Sequence, residues 1–104
     1  MPTIDDLIEY LGIDYPDDLI KRNIARALSS AAQLVRGSIG QDVETLLPDD
    51  PRVHELACIY AADLYNRREL DSAKTSNAVR RLVQTMELQL QTEIRRKRQE
   101  VAGA

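Results

Sequence analysis

Residues 50 to 69 read Asp50-Pro-Arg-Val-His-Glu-Leu-Ala-Cys-Ile-Tyr-Ala-Ala-Asp-Leu-Tyr-Asn-Arg-Arg-Glu69. A carboxylate followed by proline opens a helix well, because the side chain can accept from free amides of the first turn and the fixed φ of proline suits the first helical position. Val53, Leu56, Ala57, Tyr60, Ala61 and Leu64 then recur at steps of three and four, the period of a helix face. Cys58 and Ile59 widen that stripe, which predicts a helix packed on more than one side. No stretch combines two-residue alternation with β-branched enrichment. The chain is therefore read as all-α, a small bundle of about four helices with a long C-terminal helix.

On the N-terminal side, Thr3 is placed to cap a short helix whose first turn holds Asp5 and Asp6 and whose stripe is Ile4, Leu7, Ile8 and Leu11; Gly12 ends it. Ile13 to Tyr15 connect to a second helix predicted from about Pro16 to Arg36. Ile20, Ile24, Ala27, Leu28, Ala31, Leu34 and Val35 face inward, and the small residues between Ala25 and Ala32 allow a neighbouring helix to come close. Gly37 and Gly40 are read as its stop. Ser38 to Asp50 has only a weak apolar pattern and reads as a loop with at most one helical turn.

On the C-terminal side, Leu70 to Asn77 is polar and without period, with Ser76 and Asn77 as candidate caps. The last helix starts near Asn77 or Ala78 and aligns Val79, Leu82, Val83, Met86, Leu90 and Ile94; counted to Arg98 it spans ~31 Å at ~1.5 Å per residue. Glu100 to Ala104 are expected to fray. Residues 1–76 are thus the helical core and 77–104 the long helix with its basic tail, a single domain overall. Ile20, Ile24, Leu28, Leu56, Tyr60 and Leu64 are the candidate core. A compact chain of this length has a radius of gyration near ~13 Å.

The 104 residues include 17 acids, 14 Lys or Arg, four Tyr, and neither Phe nor Trp, so the core must be aliphatic. Charge is uneven: residues 1–50 carry ten acids and four bases, and residues 78–104 three acids and six bases. A net charge of −3 argues against a general nucleic-acid binder, although the chain has ends of opposite sign. One Cys excludes an internal disulfide framework and a Cys-based zinc cluster. The start lacks the basic and apolar regions of a signal peptide, and no apolar run reaches the length of a membrane span.

No catalytic or metal-binding constellation emerges. His54 and Cys58 stand four apart on one helix, but nothing near them supplies an orienting group or an anion hole. The pairs Asp5/Asp6, Asp17/Asp18 and Asp49/Asp50 fall at helix starts, where carboxylates offset the dipole. The glycines match neither a dinucleotide fingerprint nor a phosphate loop. No cofactor is expected. Arg95, Arg96, Lys97 and Arg98 suit the helix C-terminus and form a cationic cluster with no interleaved aromatics for stacking on single strands.

The stretch from Pro51 to Glu69, with its proline start and its end at Tyr65, Asn66, Arg67, Arg68 and Glu69, resembles the third helix of the head-tail connector proteins of long-tailed phages and their prophages. These are also called adaptor or DNA-packaging proteins. The short Leu-rich first helix, the Ile13-Asp14 turn, the acid-rich start at Asp17 and Asp18 and the Ala-rich middle that follows are similar too. The resemblance covers about residues 4–83.

It implies a structural protein without enzymatic activity. Copies would form a ring, a dodecamer in the virion, beneath the portal protein at the capsid vertex. Such a ring meets a stopper or tail-completion protein on its other side and passes DNA without reading its sequence. The place would be the head-tail junction, reached from the host cytoplasm. By the same resemblance the C-terminal segment, with Met86, Leu90, Ile94 and Arg95 to Arg98, would dock on the portal. Asp5, Asp6, Asp17, Asp18, Asp42 and Glu44 are the candidates for the subunit interface or the channel lining. The alternative is a small helical DNA-associated or regulatory dimer that uses the basic helix end on phosphate.

Overall fold

The computed structural model describes residues 1–69 and 77–103, and the side chains of 67–69 and 77–79 lie outside the description. Of the expected aperiodic segment from Leu70 to Asn77, residues 70–76 lie outside the described residues, and Asn77 is already in the last helix. Five helices follow in order: α1 Ile4–Leu11, α2 Asp18–Ser38, α3 Val43–Leu46, α4 Pro51–Glu69 and α5 Asn77–Ala102. The all-α class stands, and the single turn in the 38–50 segment is α3, the helix additional to the four expected. No described helix is long and apolar enough to cross a membrane.

The starts of α1, α2 and α4 each follow from a local side chain. Thr3 Oγ1 accepts from the Asp6 amide at 3.2 Å while the Asp6 carboxylate accepts from the Thr3 amide at 2.9 Å, a reciprocal capping box. Asp17 accepts from the Ile20 amide at 2.8 Å, so α2 begins after the cap and Pro16 precedes the helix instead of opening it. Asp50 accepts from the Arg52 amide at 2.8 Å beside Pro51. At the other end of α1, Gly12 takes the left-handed φ of 71° that ends a helix cheaply.

Two helix ends differ from expectation. α2 runs through Gly37 to Ser38, because a glycine can keep helical angles at a cost of only ~1 kcal/mol. The break comes at Gly40, whose φ of 155° a side chain tolerates poorly. α5 continues to Ala102, past the point where fraying was expected. At 26 residues it is ~39 Å long.

The interior divides into two apolar clusters that share α4. One joins Leu7 of α1 to Ile24, Ala27 and Ala31 of α2 and Ala61, Ala62 and Tyr65 of α4. The other joins Val35 and Ile39 to Val43 and Leu47 and to Val53, Leu56 and Ala57, and it is closed by Leu90 and Ile94 of α5. Tyr60 packs against both. Ala27 and Ala31 oppose the small residues of α4, which lets the two helix backbones approach closely.

Of the candidate core, Ile24 and Leu56 are fully buried, and Ile20, Leu28, Tyr60 and Leu64 are partly buried against the clusters. Leu34 and Leu82, expected inward, are about half exposed. The radius of gyration is 14.9 Å and the longest extent 49 Å, larger than a compact chain requires.

Candidate interaction surface

α5 lies on α3 and α4 through a line of polar contacts outside its apolar stripe. The Tyr60 hydroxyl donates to Glu87. Gln91 donates to the carbonyl of Ser38 at 2.8 Å. Arg52 binds Asp50 at 2.8 Å and also donates to Glu93. Arg98 donates through Nε and a terminal nitrogen to the two oxygens of Asp42, at 2.8 and 2.5 Å. These contacts fix both the rotation and the axial position of the helix.

The pairing is reflected in proton affinity. Hydrogen bonding to Arg52 holds the Asp50 carboxyl below its ordinary pKa, and Arg98 does the same for Asp42. Arg52, hydrogen-bonded to two carboxylates, is held protonated well beyond its usual range. Burial first, then the neighbouring Glu87, pushes the Tyr60 hydroxyl up to about 12.

The side chains proposed from sequence for partner binding separate into two groups. Leu90 is 0% exposed and Ile94 1% exposed, so both belong to this chain's own core and present nothing to a partner. Met86 is partly buried against the same cluster. Arg95 and Arg96 are exposed and Lys97 partly so. Arg96 lies 3.7 Å from Glu93 and Arg98 is held by Asp42, which leaves Arg95 and Lys97 without an ion-pair partner among the described residues.

The six acids proposed for an interface divide in the same way. Asp6 and Asp17 cap helices, Asp42 pairs with Arg98, and Glu44 pairs with Arg36 at 2.6 Å. Asp5 and Asp18 remain exposed on first turns. The structure does not gather the six on one surface through common contacts; four of them have tasks within the chain.

His54 is exposed and Cys58 is buried, with no hydrogen bond between them. Burial, reinforced by Glu55 and Asp6, raises the thiol to about 11, so it stays protonated and a poor nucleophile at neutral pH. Among the described residues no three His, Cys, Asp or Glu side chains converge to hold a metal ion.

Several features of the surface escape sequence reading. Leu88 and Val101 of α5 are about two-thirds exposed, and Tyr15, after α1, is almost fully so. An open groove of about 640 Å³ lies along the α3–α4 connection and the start of the chain. Composition signals none of these, because each depends on which part of a helix the rest of the bundle reaches.

No protein-family model, curated protein or solved structure matches the chain. Its class is therefore defined by its own architecture: a small helical bundle whose longest helix is anchored along one side and carries unpaired cations near its end.

Proposed function

We propose that this protein is a structural head-tail connector, an adaptor that forms a ring beneath the portal, joins head to tail and passes DNA during packaging and ejection. The observation that carries the reading is the order of elements around the central, proline-opened α4. A short capped helix and a long Ala-bearing helix precede it, and α5 follows as an arm with an exposed cationic end. The partners in this reading are other copies of the chain, the portal protein and a stopper or tail-completion protein.

The burial of Leu90 and Ile94 restricts any portal contact to the remaining surface of α5. Leu88, Arg95 and Val101 are among the exposed side chains there, and Lys97 is partly exposed beside them. The reading is tested by deleting the gene from the phage or prophage that carries it. DNA-filled heads and separate, complete tails are expected, and antibody against the protein should label the head-tail junction of intact virions. Virions that lack the protein, or normal particles after its deletion, would refute it.

The DNA-associated alternative has less to work with than the four consecutive cations suggest. Two of them are engaged by Glu93 and Asp42, and the two left would give a shallow salt slope near about −2 in log–log form. Binding of duplex DNA with a markedly steeper slope would favour that alternative.

A further inference from the structure

The α3–α4 groove and the end of α5 are complementary, and one chain cannot join them by itself. Buried Leu47 and Val53 line the groove together with the more exposed Met1 and Pro48. Asp49 and Glu55 are exposed along it and have no ion-pair partner among the described residues. The other two acids of the groove, Glu44 and Asp50, are already held by Arg36 and Arg52. The groove thus combines apolar surface with uncompensated negative charge.

The last turns of α5 carry the opposite character. Lys97 and Val101 continue, at helical spacing, the stripe that buries Leu90 and Ile94, yet Val101 is 66% exposed because the stripe has run beyond the core. Lys97 supplies unpaired positive charge one turn before it on the same face, and Arg95 adds unpaired charge on the flank, about 120° round the helix from Val101. The helix is continuous to Ala102 and Arg98 binds it to Asp42 at the start of α3, so its tip cannot fold back into its own groove.

We propose that the tip of α5 from one copy docks in the α3–α4 groove of a second copy, with Val101 on the apolar lining, Lys97 beside Asp49 and Glu55, and Arg95 at the edge of the contact. Two different surfaces meet in this contact, so each bound copy still offers a free groove or a free tip, and the association propagates or closes into a ring. It rests on the connector reading for that closure, though not for the contact itself. With a small apolar area and exposed charges, the contact should strengthen with protein concentration and weaken with salt.

The test is sedimentation velocity of the purified chain over a wide concentration range at low and high salt. The wild type should form larger species as concentration rises, and fewer of them at high salt. Asp49→Lys with Glu55→Lys, and separately Arg95→Glu with Lys97→Glu, should each raise the concentration needed for association by about tenfold or more, since like charges then face each other. An equimolar mixture of the two variants should associate again, because each groove then meets a tip of opposite sign. Circular dichroism melts establish that both variants fold.

A wild type that stays monomeric throughout, association indifferent to both reversals, or a mixture that does not recover would overturn the inference. A dimer of fixed size insensitive to both reversals would place the contact elsewhere and also overturn it. None of these results alters the virion experiment, so failure of the docking contact and failure of the connector reading are separable.

Discussion

Arg98 reaches back across 56 positions to grip Asp42, and it passes directly over Gly40. A Cβ on Gly40 would stand 2.5 Å from a terminal nitrogen of Arg98 and 2.9 Å from Asp42 Oδ1. The glycine therefore serves two purposes: it takes a φ of 155° that ends α2, and it leaves room for the ion pair that seats the end of α5. Both partners are substantially exposed, so the pair's main effect is to set where the helix end lies.

Gly40→Ala should lower stability by about 1–2 kcal/mol, chiefly through its backbone angle. The steric part can be relieved, because the guanidinium can swing away; the backbone part cannot. The double variant Gly40→Ala/Arg98→Ala should accordingly remain less stable than Arg98→Ala alone in urea unfolding. Equal midpoints for those two would show that the crowding of Arg98 is the whole effect.

Leu88 and Leu90 make the sharpest contrast on α5. Leu90 is fully enclosed with Ile94 against Val35, Val43 and Leu56, whereas Leu88 is 65% exposed. Leu90→Ala should cost about 3 kcal/mol and Leu88→Ala within about 0.5 kcal/mol, measured by chemical denaturation. Similar losses at the two sites would mean that α5 is seated differently on the bundle.

What could be read in advance was what depends on neighbours in sequence. Thr3 and Asp50 cap helices within three positions, and the period of α4 already required burial on several sides; at α2 the sequence points to Pro16 as the start, whereas the cap is Asp17 next to it. The stripe on α5 was equally legible, but periodicity does not say where the body beneath a helix stops. Leu90, Ile94 and Val101 occupy one stripe, yet the first two are core and the last is exposed. Gly37 and Gly40 are alike as residues, and only the backbone angle distinguishes the one that breaks α2. The pairing of the candidate interface acids was illegible for a related reason: Asp42 and Glu44 pair with Arg98 and Arg36, which only the folded chain brings near.

Acid should loosen the seat of α5. The carboxyl of Asp50 has a folded pKa below its ordinary value of 3.8 because Arg52 stabilises the ionised form. A depressed carboxyl pKa contributes stability that is present above the unfolded pKa and is lost as pH falls through the folded one. The melting temperature should therefore fall as pH drops below about 4. Asp50→Asn keeps a side-chain acceptor for the Arg52 amide but removes the charge, so its deficit relative to wild type should be present at pH 6 and shrink toward pH 2–3. A deficit constant across that range would assign the role of Asp50 to capping alone.

Tyr60 joins the two clusters and ties α4 to α5, and its ring and hydroxyl can be weighed separately. The ring packs against both clusters, and the hydroxyl donates to Glu87 from a partly buried position. Tyr60→Phe keeps the packing and removes the bond, which should cost about 1 kcal/mol. Tyr60→Ala also removes the packing shared by both clusters, and the loss should approach about 3 kcal/mol. Because Glu87 is on α5, Tyr60→Phe should increase amide exchange in the first half of α5 more than in α1, which the hydroxyl does not touch. Uniform acceleration across α1 and α5 would mean that the bond contributes only to global stability, with no particular hold on α5.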